Sequence, residues 1–136
     1  MNNQRNPLTL GEAINVVRTH FERTFPKICG YCGRRFDSLQ AFFLQTRARG
    51  SMVSFDADLG EWQPTEPLGI LTYATCPCGN TLALGTDTMA QAKRLAILEW
   101  VRRECEERGV RPSVVLDDLR AVLRLKVLGE SQEGAV

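Results

Sequence analysis

Two short stretches, Lys27-Ile-Cys-Gly-Tyr-Cys-Gly-Arg-Arg-Phe36 and Thr75-Cys-Pro-Cys-Gly-Asn80, decide how this chain is read. The first puts Cys29 and Cys32 at the ends of a tight turn, where Gly30 and Gly33 permit positive-φ backbone. The second puts Cys76 and Cys78 at i and i+2, so that in extended backbone both sulfurs leave one face and Pro77 leaves the other. Two thiol pairs on turns, with 43 residues between them, can together supply the four ligands of one tetrahedral metal site. Thiolates suit Zn2+ because they are soft and charged, and four of them leave a net negative charge that nearby donors must offset. Arg34 and Arg35 follow the first pair directly and are expected to help.

Outward from the second pair, Tyr73-Ala-Thr75 and Thr81-Leu-Ala-Leu84 read as the two arms of a hairpin. Short β-branched and aromatic runs predict strands at Met52–Phe55, Ile70–Thr75 and Thr81–Leu84, with the acidic, proline-containing residues 56–69 as a long loop. Outward from the first pair, Thr9 and Glu12 form a capping-box pair, and Leu10, Ile14, Val17 and Phe21 predict a helix over 10–23 that Pro26 stops. A short helix capped by Asp37 or Ser38 runs through Leu44 and ends in the basic stretch Thr46-Arg-Ala-Arg-Gly50. Thr88 is a cap for a further helix with Met89, Ala92, Leu95, Ala96, Leu98 and Val101 on its apolar side, and Gly109 supplies the stop. Pro112 and Ser113 open a last helix, whose Val115, Leu116, Leu119, Val122, Leu123 and Val127 recur at three and four.

The expected fold is α+β: a small zinc-clamped antiparallel β-sheet with an N-terminal helix and a C-terminal helical hairpin. At 136 residues with 43% hydrophobic content, the chain fits a single domain over 1–129. Residues 10–87 make the helix and metal-binding β part, 88–128 the helical hairpin, and 130–136 a disordered tail. No internal repeat is visible.

The N-terminus lacks a basic start followed by an apolar run, and no stretch reaches the roughly eighteen apolar residues a membrane span needs, so a cytoplasmic protein is expected. Thiols there stay reduced, which favours ligands or catalytic groups over disulfides. The net charge of +1 is unevenly spread: eight basic residues against three acidic in 1–50, and five acidic with no basic in 51–90. Such asymmetry can organise an interface, whereas a pI of about 7.6 is low for a dedicated nucleic-acid binder.

The motifs Cys-Gly-Tyr-Cys-Gly at 29–33 and Cys-Pro-Cys-Gly at 76–79 resemble the two knuckles of zinc ribbon and rubredoxin-like proteins. The second is one residue shorter than that family's usual Cys-Pro-x-Cys-Gly. The resemblance covers about ten residues of 136; it implies a metal-clamped hairpin scaffold with Cys29, Cys32, Cys76 and Cys78 as ligands.

Rival chemistries find less support. A thioredoxin-type pair opens a helix, whereas here the helix cap comes some five residues after Cys32. Four thiolates also serve mononuclear iron or an iron–sulfur cluster, and iron is the less favoured metal. Cys105, on a helix away from both pairs, reads as a small core hydrophobe, and His20, the one histidine, as a surface or packed imidazole. No acid–base pair, phosphate loop or Ser/His/Asp arrangement is present, so no enzyme activity is expected.

The expected function is therefore a zinc-binding protein-interaction or regulatory module, meeting a protein partner or a second copy through its C-terminal helices. The alternative is a nucleic-acid-binding zinc ribbon that uses Arg34, Arg35, Arg47 and Arg49, and a third reading is a redox or metal sensor.

Overall fold

A computed structural model describes residues 7–134, with burial described through residue 130. Residues 1–6 and 135–136 of the expected domain and tail lie outside the described residues. The architecture is α+β. Helix α1 (Leu10–Arg23) opens with both bonds of the Thr9–Glu12 capping box and buries Ala13, Ile14, Val17, His20 and Phe21. The first cysteine turn follows between two-residue strands β1 (Lys27–Ile28) and β2 (Arg35–Phe36), which pair antiparallel. Ser38 then caps α2 (Leu39–Gln45), whose Leu39, Phe42 and Phe43 turn inward.

The main sheet is an antiparallel meander in the order β3 (Arg47–Ser54), β4 (Ile70–Thr75), β5 (Thr81–Gly85). Pairing of Arg47 with Thr75 and Thr81 with Thr75 brings the basic end of β3 beside the second cysteine turn. The register of β3 against β4 shifts between Arg49 and Val53, where Gly50 takes φ +66°. One sheet face, with Met52, Ser54, Ile70, Thr72, Ala74 and Leu84, is buried. The other carries Arg47, Arg49, Val53, Leu71, Tyr73, Ala83 and the exposed Thr81.

Two helices close the buried face. Helix α4 (Gln91–Arg108) buries Ile97, Leu98, Trp100 and Val101, and ends at Gly109 in left-handed backbone, φ +65°. Helix α5 (Pro112–Gly134) folds back against it and sinks Val115, Leu116, Leu119, Leu123 and Val127 into a core shared with α1, α2 and the sheet. A polar strut joins α5 to β3: Asp117 accepts from the Ser51 hydroxyl and the Met52 N–H, both at 2.9 Å.

Five local expectations need correction. The basic stretch after α2 is the first half of β3, because its backbone pairs with β4 from Arg47 onward. Phe55 leaves the sheet and begins a one-turn helix, α3 by position (Phe55–Asp58), because the Ser54 side chain caps it through the Ala57 N–H. The segment after it is tied down: buried Asp56 accepts from the N–H groups of Leu68 (2.9 Å) and Gly69 (3.3 Å), and Arg94 donates to the Pro67 carbonyl. Thr88 does not cap α4, which starts at Gln91 with no side-chain cap, since its hydroxyl sits 3.2 Å from Nε2 of His20. Finally, α5 runs on past residue 128 to Gly134, and Glu130 of the expected tail forms a two-pronged pair with Arg18 of α1 at 2.6 and 2.9 Å.

Candidate metal centre

The two cysteine turns are built alike. In the first, the Cys29 N–H donates to the Arg34 carbonyl (2.8 Å) and the Gly33 N–H donates back to the Cys29 carbonyl (2.9 Å). In the second, the Cys76 N–H donates to the Asn80 carbonyl (2.8 Å) and the Gly79 N–H to the Cys76 carbonyl (2.7 Å). Gly33 and Gly79 both carry positive φ, +79° and +97°, which explains a glycine after each second cysteine. Gly30 does not need this freedom, as its φ is not positive.

The turns meet so that Cys29, Cys32, Cys76 and Cys78 place all four sulfurs within 4.8 Å of one another. Cys29 lies 3.8 Å from Cys78 and Cys32 lies 3.7 Å from Cys76, so each close pair joins one turn to the other. Thiolates about 2.3 Å from a tetrahedrally held ion are about 3.8 Å apart, so the cluster has the dimensions of a mononuclear site. An iron–sulfur cluster spreads its ligands over separate irons and holds their sulfurs further apart. Cys29 and Cys76 are buried while Cys32 and Cys78 are exposed, which puts the cluster at the surface end of the sheet.

The donors around the sulfurs are local. The Cys29 thiol is pulled down to about 6 by the backbone N–H of Cys32, then the Asn80 side chain and the Tyr31 N–H. Asn80 contributes twice, its Nδ2 to Cys29 and its own N–H to Cys78, each at 3.5 Å. At Cys78 that N–H favours the thiolate, but loss of water and the three neighbouring sulfurs outweigh it and push the thiol up to about 12. Four thiolates this close repel one another unless a cation offsets their charge, so the grouping is compatible with a metal site.

Arg34 and Arg35 do not serve the sulfurs as expected. Arg34 donates to the Gln45 side chain at 2.9 Å and Arg35 pairs with Asp37, so compensation comes from Asn80 and backbone N–H groups. Arg47 and Arg49 stand on the open sheet face with no ion pair among the described residues, and Arg49 is paired in register with Tyr73. Asn80 was visible in the sequence only as a turn residue; its place two after Cys78 in a tight turn is the signal for its second role. Cys105 is half-buried on α4, outside the cluster, and burial pushes its thiol up, against the pull of Arg108. His20 is buried and holds its proton less readily than a free imidazole, through loss of water and then the charge of Arg23.

No known protein family, curated protein or solved structure matches this chain, so the centre is read from its own geometry. No helix among the described residues is long and apolar enough to cross a membrane.

Proposed function

We propose that the protein is a zinc-stabilised protein-interaction or regulatory module, with one structural Zn2+ on Cys29, Cys32, Cys76 and Cys78. The observation that carries this reading is the closed grouping of four sulfurs from two turns within 4.8 Å. Four thiolates fill a tetrahedral sphere and leave no position for water or substrate, which suits a structural and not a catalytic ion. Its work would be to fasten the β1–β2 turn to the β4–β5 hairpin. The resemblance of both motifs to zinc ribbon knuckles agrees with this role. An interaction role is supported by the fastened turn itself, which shows Ile28 (60% exposed) and Tyr31 (81% exposed) to solvent. Rigidly held apolar and aromatic side chains of this kind anchor protein partners at little entropic cost.

The test is reversible chelation. Removing metal from the purified protein should abolish the folded signals of Ile28, Tyr31 and Phe36, and one equivalent of Zn2+ should restore them. A chain whose spectra ignore the chelator has no structural metal.

A second reading has its own observation. Arg47 and Arg49 have no ion pair among the described residues and stand on the sheet face that carries Tyr73, while the acidic Asp56 and Asp87 belong to the opposite end of the strands. A single nucleic-acid strand stacking on Tyr73, with phosphates against the arginines, would use that face. It requires salt-sensitive binding of a labelled oligonucleotide that an Arg47→Ala/Arg49→Ala variant weakens; the interaction-module reading expects none.

A further inference from the structure

A cavity of about 250 Å³ lies between α2, the inner face of β3–β4 and α5, away from the sulfurs. The rings of Phe42 and Phe43 form part of its wall. Ala48, Ala74 and Ala121 supply only methyl groups elsewhere, which leaves the space open at the edge of the core. Its few polar groups are mostly committed. The Thr46 hydroxyl donates to the Phe42 carbonyl at 2.7 Å. Arg120 donates to the Thr72 hydroxyl (2.8 Å), the Gly50 carbonyl (2.7 Å) and Asp117 (3.4 Å), and Asp117 also holds Ser51 and Met52.

Arg124 is different. It is exposed at the cavity's edge, its one hydrogen bond is a 3.3 Å donation to the Phe43 carbonyl, and it has no ion pair among the described residues. The rim thus carries two guanidinium groups against one carboxylate, and the unmatched charge stands beside an apolar hollow. An apolar cavity that opens to solvent takes a compact apolar body, and a planar guanidinium at its mouth selects a carboxylate head group.

We propose that this cavity binds a small monocarboxylic acid with a compact apolar body, about one aromatic ring or a short branched chain in size. The body packs against Phe42, Phe43 and the three alanines, and the carboxylate lies on Arg124. One guanidinium with no ion pair among the described residues and a largely apolar lining match a single negative charge better than a phosphate ester, which would need more donors. The proposal goes beyond the metal reading and does not depend on it. The site nevertheless adjoins the metal turns: Phe42 meets the ring of Phe36 edge-on at 5.4 Å, and Ala74 precedes Cys76 by two residues.

Benzoate, its neutral counterpart benzamide and benzylamine are suitable probes, titrated by two-dimensional NMR into the protein carrying the metal it was purified with. The expected result is saturable binding of benzoate, with shifts at the amides of Phe43, Ala74 and Ala121. Benzamide should bind about tenfold more weakly and benzylamine not at all. Arg124→Gln should bring benzoate down to the benzamide level and leave benzamide unchanged. Ala121→Phe, at an exposed position of α5, should fill the cavity and abolish both, and Ala48→Leu does the same from the strand side should the first variant not fold. Metal content measured on every sample keeps a failure here separate from a failure of the zinc site. Absence of saturable benzoate binding up to about 20 mM, equal affinity for benzoate and benzamide, or binding that survives the filled cavity would each overturn the proposal.

Discussion

The two ends of this molecule are held together by different physics. At the knuckle end, β1 and β2 are two residues long, Ile28 and Tyr31 are exposed, and few side chains besides Cys29, Phe36 and Cys76 are buried. At the helical end, Trp100, Leu116, Leu119 and Leu123 are at most 2% exposed, in the one core cluster that Cys29, Phe36 and Cys76 also join. Apolar burial, worth about 25 cal/mol per Å² removed from water, is the main support of the second arrangement. Strands as short as those of the first are not stable by themselves, and on the proposed zinc reading ligand bonds supply what burial does not. On that reading the metal's contribution is local, and the two ends should fail separately.

The sharpest way to break this comparison is Cys76→Ser. The variant should lose its metal, and amide exchange in 27–36 and 75–81 should become fast while the buried turns of α4 and α5 stay protected. Uniform loss of protection would show that the ends are one cooperative unit. Next in size is Leu119→Ala, which should cost about 2–5 kcal/mol of stability in urea melts while metal content is retained. Loss of metal in that variant would erase the separation from the other side.

Smaller effects sharpen the picture. Asp56→Ala removes the buried acceptor of the Leu68 and Gly69 N–H groups and should cost about 1–3 kcal/mol, with increased exchange confined to 56–69. The smallest effect expected is that of pH on His20. Its folded pKa lies below the ordinary 6.5, so the unfolded chain takes up its proton first as pH falls. Its contribution is fully present above that value and is lost as pH falls through the folded pKa. The fall should be absent from a His20→Gln variant, in which an amide can still reach the Thr88 hydroxyl.

What was legible in the sequence was what depends on neighbours along the chain. The Thr9 capping box, the strand Ile70–Thr75 and the Gly109 stop are each signalled within a few residues and stand where they were read, and of the two caps offered for α2, Asp37 and Ser38, Ser38 is the one used. The cysteine grouping was legible too, because ligand spacing is a local pattern repeated at two places. What was missed depends on partners far away in sequence. Arg47-Ala-Arg-Gly50 shows no apolar alternation, and only pairing with β4 makes it a strand. The two-residue strands beside Cys29 and Cys32 have too little sequence to announce themselves. Thr88 looks like a cap until His20, 68 residues earlier, engages it, and Glu130 looks like a loose tail until Arg18 grips it across 112 residues. The cavity at Arg124 is likewise a product of three alanines from three separate elements, which no local pattern reveals.

The central claim is most directly tested by elemental analysis and sulfur-sensitive X-ray absorption on protein purified without added metal, beside the Cys29→Ser and Cys76→Ser variants. The expected result is one zinc per chain, bound by four sulfurs at about 2.3 Å, and absent from both variants. A chain that carries no metal, or that keeps its full metal content when either cysteine is lost, would contradict the shared four-cysteine centre.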